Sequence, residues 1–263
     1  GIHNMSRKRL IPKLQLTRSI RNPKKLVVVI TKQFGERNEI GDPVSQAKIF
    51  QDQSADELIF INIDGSSNDI NTLSEVINQV SEEIFMPLTV GGGVTSESDF
   101  RILLANGADK ISINTSAVEH PELITAMSNK FGAQCVVVSI DYRMDADGSA
   151  YVYTHCGKEK TELNPVWWAK EAQRLGAGEL MVSCIDHDGQ GNGIELEISK
   201  QIVASVDIPV ILGAGCGLAM HFPEAFAATG AEAVCAGTFF ARRDQNLIQT
   251  RSQIVNAGVD IRV

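Results

Sequence analysis

The amino-acid sequence predicts an α/β fold, a single (β/α)8 TIM barrel built from two duplicated half-barrels, and three observations carry the prediction. Eight short β-rich apolar runs alternate with longer amphipathic segments, and several runs are continuously apolar, as strands buried on both faces of a parallel sheet are. The 263 residues fit one such barrel, whereas a doubly wound open sheet, the competing arrangement, has fewer strands at this length. The chain also repeats itself. ADELIFINIDGSS from Ala55 pairs with AGELMVSCIDHDG from Ala177, PLTVGGG from Pro87 with PVILGAG from Pro209, and NGADKISINT from Asn106 with TGAEAVCAGT from Thr229, at offsets of 122 to 123 residues.

Taken in order, strand 1 is predicted from Arg9 to Leu16, followed by an unusually long segment, Thr17 to Asp42. Strand 2 spans Glu57 to Ile63 and leads to Asp64. Strand 3, Pro87 to Val90, closes on Gly91, Gly92 and Gly93, and strand 4, Lys110 to Asn114, on Asn114 and Thr115. Strand 5 spans Gln134 to Asp141 and is followed by a second long insertion, Tyr142 to Asn164. Strand 6, Glu179 to Ile185, leads to Asp186 and Asp188; strand 7, Pro209 to Leu212, to the loop Gly213 to Gly217; strand 8, Ala233 to Gly237, to Thr238. Loops after barrel strands lie on the catalytic face, so the two long segments are candidate lids. Residues 1–8 form a tail in which Gly1 to Asn4 precede a start at Met5; the barrel occupies 9–263, with halves at about 9–132 and 133–263.

Composition narrows the function. With 24 Lys/Arg against 32 Asp/Glu the net charge is −8, which argues against general nucleic-acid binding. Nine of those cations fall within the first 35 residues without an acid, a possible local anion site that would equally suit a solvated basic loop. No run is long and apolar enough for a membrane span, so a cytoplasmic protein is expected. Five widely spaced cysteines without CxxC suggest free thiols rather than disulfides or zinc. No metal and no cofactor is expected, since GAGCG after strand 7 lacks the full dinucleotide fingerprint.

Each glycine loop lets backbone N–H groups approach an anion, and the partner strand end one βα unit later completes a barrel phosphate site. A lone glycine turn would mean little; two paired sets suggest a substrate with phosphate at both ends. Carboxylates at strand ends point into the mouth, where burial tunes them for proton transfer. Asp141 is the foremost candidate because it terminates an apolar strand; Asp64 and Asp186 follow, though a single Asp there could merely form a turn. At the opposite ends strands 1, 2, 4 and 6 begin with Arg9, Glu57, Lys110 and Glu179. Each alone would be an ordinary solvated strand start, but two cations and two anions on separate strands can meet as a ring across the barrel floor.

Taken together, GDPV at Gly41, ADELIF at Ala55, TVGGGV at Thr89, NGADKISINTSAVEHP at Asn106, VVVSID at Val136, GAGEL at Gly176, IDHDG at Ile185 and HFPEAF at His221 resemble the HisF family, the cyclase subunit of imidazole glycerol phosphate synthase, along nearly the whole chain from Arg9. The resemblance implies that ammonia from a HisH-like glutaminase docked beneath the floor passes the gate Arg9, Glu57, Lys110 and Glu179 and reaches a bisphosphorylated substrate. It places phosphate at Gly92, Gly93, Asn114, Thr115, Asp188, Gly189, Gly215, Ala236 and Gly237. There are departures. Where the family's strand 1 reads C-L-D-V, with its Asp paired to the strand 5 Asp, this chain has Lys13, Leu14, Gln15 and Leu16. Asn62 stands for an Asp, Ile30 for the strand 1 loop lysine and Gly213 for a serine. Gln15 cannot exchange a proton near neutral pH.

The sequence thus points to an ammonia-accepting synthase subunit acting on a phosphorylated sugar, similar to HisF-like paralogues that amidinate nucleotide sugars for surface polysaccharide. Asp141 would be the acid/base, Gln15 an orienting hydrogen-bonder, and Asp64 or Asp186 proton donors. The alternatives are an authentic histidine-pathway cyclase and a non-catalytic scaffold that only activates a glutaminase. His155 and His187 could assist proton transfer or simply be surface histidines.

Overall fold

The structure, a computed structural model, describes residues 7–64, 70–241 and 246–262; the expected start at Met5 lies outside them. The first half of the chain folds as β1 (Arg9–Arg18), β2 (Leu26–Lys32), β3 (Glu36–Gly41), α1 (Pro43–Asp52), β4 (Leu58–Asn62), α2 (Ile70–Glu83), β5 (Leu88–Gly91), α3 (Glu97–Ala105), β6 (Lys110–Ile113), α4 (Thr115–Glu119) and α5 (Glu122–Phe131). The second half supplies β7 (Val136–Met144), β8 (Ala150–Thr154), β9 (Glu159–Lys160), α6 (Pro165–Leu175), β10 (Glu179–Cys184), α7 (Glu197–Ser205), β11 (Val210–Gly213), α8 (His221–Thr229), β12 (Ala233–Ala236) and α9 (Leu247–Asn256). Eight of these strands pair in parallel in the order β1, β4, β5, β6, β7, β10, β11, β12. Pairing of β12 with β1 closes the circle, so the fold is the expected (β/α)8 barrel. Among the described residues no helix is long and apolar enough to cross a membrane.

Local sequence explains the helix starts. The Asp42 carboxylate accepts from the Ser45 N–H ahead of Pro43 in the first turn of α1, and Asn164 accepts from the Val166 and Trp167 N–H groups ahead of Pro165 in α6. Gly176 then stops α6 in the left-handed conformation that glycine adopts without steric cost. Helix α2 buries Ile70, Leu73, Ile77 and Val80, a single stripe turned toward the sheet.

Two apolar regions result. The larger lies between barrel and helices and holds Phe60, Phe100, Trp168 and Phe222. The smaller fills the middle of the bore with Ile11, Ile59, Val137, Met181, Ile211, Ala233 and Cys235. Strand parity separates them: on β1, Leu10, Leu14 and Leu16 face the helices, while Arg9, Ile11, Lys13 and Gln15 face the barrel interior.

Several strand bounds shift from the sequence expectation, among them those of the fifth and eighth barrel strands. Gln134 belongs to a short 3-10 turn, Ala133–Cys135, so the strand starts at Val136. The last strand ends at Ala236, one residue before Gly237. The long segments are not irregular loops. Strands β2 and β3 form an antiparallel pair that extends β1, and β8 and β9 extend β7 in the same manner, so each barrel strand continues above the rim as a small antiparallel sheet.

Candidate active site

At the N-terminal end of the bore the four ring residues meet. The Arg9 guanidinium donates to both Glu57 carboxylate oxygens at 2.9 Å and to Glu179 at 2.7 Å. The Lys110 ammonium closes the circuit, 3.3 Å from Glu57 and 3.1 Å from Glu179. Arg9, Glu57 and Glu179 are 3%, 6% and 5% exposed, so each charge depends on the others for the solvation it has lost. The apolar layer around Ile11 and Met181 lies between this floor and the mouth.

The C-terminal end opens into a cavity of about 620 Å³. Lys13 and Gln15 come from β1, Asn62 and Asp64 from the end of β4, Gly92 and Gly93 from the loop after β5, Asn114 and Thr115 from the end of β6, and Asp141 from β7; Phe34, His155 and Cys156 from the two antiparallel extensions complete its wall. Burial pushes the Asp141 carboxyl up to about 6, and the neighbouring Asp188 charge adds to this, while the Lys13 charge and the amide of Asn114, donating at 3.1 Å, draw it back. Among the described residues the buried Asn114 side-chain oxygen has no hydrogen-bond partner, although its residue lines the cavity.

The first glycine loop is sterically committed. A Cβ on Gly92, whose φ is +96°, would lie 2.0 Å from the Asn62 carbonyl oxygen. Gly92→Ala therefore forces the loop off the end of β4. We expect it to cost at least about 1–3 kcal/mol in a denaturant titration, with weakened binding of inorganic phosphate by isothermal calorimetry.

The residues of the second set assemble elsewhere and far more tightly. Gly189, Gly215, Ala236 and Gly237 surround a niche of about 20 Å³, which Gly191, Cys216 and Phe239 also line. A Cβ on Gly215 would lie 2.2 Å from the Gly193 carbonyl, so the segment after β10 is pressed against the loop after β11. His187 serves this packing, its Nδ1 sitting 2.8 Å from the Gly193 carbonyl oxygen. The Thr238 side chain lies outside the described residues.

The remaining carboxylates occupy different settings. Burial pushes Asp64 up, but hydrogen bonds from the Thr17 hydroxyl at 2.6 Å, the Arg18 N–H at 2.8 Å and Arg37 at 2.9 Å outweigh it and hold the group below the usual carboxylate range. That geometry keeps Asp64 ionised, which does not suit the proton donor expected from the sequence. Asp186 does not line the cavity: it accepts from the Met144 N–H at 2.9 Å and lies 3.5 Å from Arg143, holding the β7 extension. Asp188 accepts from the Thr31 hydroxyl at 2.6 Å and the Phe34 N–H at 3.0 Å. It thereby ties the β2–β3 hairpin to the segment after β10, and burial pushes its carboxyl up.

Sequence reasoning did not single out Thr31 or Lys13 as participants. Thr31 sits between Gln15, 3.0 Å away, and Asp188. His155, offered by the sequence as an aid to proton transfer, lines the cavity, and its backbone N–H donates to the Thr115 hydroxyl at 3.0 Å. Lys13 lines the cavity from β1, and its period-two spacing from Arg9 is the available signal.

The fold is thus a closed β/α barrel with an ion ring at one end of its bore and a carboxylate set in a polar cavity at the other. Comparison with known proteins gives the family. The model of the family described as "Histidine biosynthesis protein" matches residues 20–245. "Putative imidazole glycerol phosphate synthase subunit hisF2" of Prochlorococcus marinus (strain MIT 9313) is 47% identical over 98% of this chain and 99% of its own. "Imidazole glycerol phosphate synthase subunit HisF" of Corynebacterium glutamicum (strain R) is 42% identical over 87% of this chain and 91% of its own, and the protein of the same name from Lactococcus lactis subsp. lactis (strain IL1403) is 40% identical over 98% of both. The chain belongs to this histidine biosynthesis family, as a HisF-like subunit.

Proposed function

We propose that this chain is the ammonia-accepting subunit of a glutamine-dependent synthase, paired with a HisH-like glutaminase beneath the Arg9, Glu57, Lys110 and Glu179 ring, and that it delivers ammonia to a phosphorylated sugar, in our reading a nucleotide sugar destined for surface polysaccharide. The observation that carries this is a buried carboxylate of raised proton affinity, Asp141, in a cavity whose β1 wall offers Gln15 in place of a second acid. Ring closure needs proton transfers on two sides of the substrate, whereas addition of ammonia to an electrophilic carbon needs fewer. Gly92, Gly93, Asn114 and Thr115 would hold one phosphate in the large cavity, and Asp188, Gly189, Gly215, Ala236 and Gly237 the other around the small niche.

The authentic histidine-pathway cyclase is the second reading, favoured by the names of relatives 40–42% identical. One experiment separates the two. The chain, a glutaminase partner and glutamine are incubated with the histidine-pathway intermediate and, separately, with nucleotide-sugar pools, and products are read by mass spectrometry. A new amidinated nucleotide sugar supports the proposal. Imidazole glycerol phosphate alone, with growth of a cyclase-deletion auxotroph, replaces it with the second reading.

A further inference from the structure

Lys13 is a cation of the cavity wall with no role in the site described so far; Lys158, on the turn between β8 and β9, also lines the cavity and is exposed. It projects from β1 on the same interior face as Arg9, Ile11 and Gln15, above the apolar layer and into the cavity that Asp141 lines. The other cations of the bore, Arg9 and Lys110, are locked in the ring, and Arg37 at the mouth is paired with Asp64. Among the described residues Lys13 has neither a hydrogen-bond partner for its ammonium nor an ion pair, yet its charge is felt by Asp141, Asp188, Cys156 and Cys235. A long, partly buried cation held between carboxylates but bonded to neither is free to reach a bound molecule.

We infer that Lys13 is a catalytic acid, working opposite Asp141 as the base, on a substrate whose reacting carbon carries an oxygen. This rests on the ammonia-addition reading above. The lone pair of ammonia forms the C–N bond as the carbon–oxygen π bond breaks. The Lys13 ammonium gives a proton to that oxygen, and the Asp141 carboxylate takes one from the nitrogen. A proton passing from Asp141 back to Lys13 through solvent restores both groups, leaving a carbinolamine and consuming only substrate and ammonia. Gln15, two residues further along β1, would orient the same substrate by hydrogen bonding. Facing Asp141 are Lys13 from β1, Asp188 from the segment after β10, Cys156 from the turn between β8 and β9, and the neutral Asn114.

The test uses Lys13→Met and Lys13→Arg in the full complex with its glutaminase. Turnover is measured on whichever substrate of the preceding experiment gives product, and the Asp141 titration is followed by carboxyl-carbon NMR of the isolated chain. Lys13→Met is expected to lower kcat by about 10²- to 10⁴-fold and to raise the Asp141 midpoint. Lys13→Arg keeps the charge, and so the midpoint, but an arginine does not give up its proton and turnover stays low. Rescue of turnover by Lys13→Arg, or a Lys13→Met rate within twofold of wild type, overturns the acid role while leaving the proposed function intact. A wild-type complex that makes no product with any of those substrates sinks the proposed function, and the acid role with it. An Asp141 midpoint unmoved by Lys13→Met overturns the pairing whatever the turnover.

Discussion

Asp141→Asn will slow ammonia-dependent turnover by about 10²- to 10⁴-fold and, in the same variant, stabilise the fold. Both effects follow from the burial of one carboxylate. An Asp that is ionised at neutral pH serves as a base; its amide does not, so the chemical step loses that contribution. Because burial lifts this group from 3.8 to about 6, the folded protein takes up its proton more readily than the unfolded chain does. The cost of keeping it charged is absent below about pH 4, grows between there and pH 6, and is complete above. At about 1.4 kcal/mol for each tenfold change in proton affinity, the strain relieved by Asn is about 3 kcal/mol at pH 7.5. Thermal melts should show the variant more stable at pH 7.5 and indistinguishable from wild type at pH 4. The acid limb of wild-type kcat/KM should fall near pH 6. A variant less stable than wild type at pH 7.5 would refute this view of Asp141.

The second large effect lies at the other end of the bore. Arg9→Met leaves Glu57 and Glu179, each almost wholly buried, with Lys110 as their remaining ring cation. Removing one member of a buried ion cluster typically costs about 3–5 kcal/mol, because the survivors keep their desolvation without their partner. Lys110→Met should cost less, since the Lys110 side chain is 20% exposed and water reaches its site. Urea midpoints at neutral pH should therefore rank wild type above Lys110→Met above Arg9→Met. Equal losses from the two variants would mean that the ring does not act through burial.

Much of this architecture was legible in the sequence because it is written in local patterns. Continuous apolar runs at regular spacing marked the barrel strands, and charges at the starts of four of them marked the ring. The antiparallel extensions were missed because they break that rhythm. The β-branched run at Leu26–Ile30 and the aromatic alternation at Tyr151–Tyr153 are strand signals, but a βα alternation leaves no place for an extra strand pair. Asp188 illustrates a different limit. Its partners Thr31 and Phe34 are more than 150 residues away in sequence, and no period or spacing connects them. Asp64 looked like a mouth acid on position alone; Arg37, which fixes its charge, comes from a hairpin that the sequence did not resolve.

The ring has a consequence for how such a molecule could have come apart into two unequal halves. Residues 9–132 contribute Arg9, Lys110 and Glu57, whereas residues 133–263 contribute Glu179, with Glu232 at the margin 3.9 Å from Arg9. Two copies of the first piece would confront four cations with two carboxylates, and two copies of the second would bring together only acids. Whatever symmetry the 122-residue repeat preserves in outline, the charges of the floor balance when each piece lies beside its opposite and not when either is doubled.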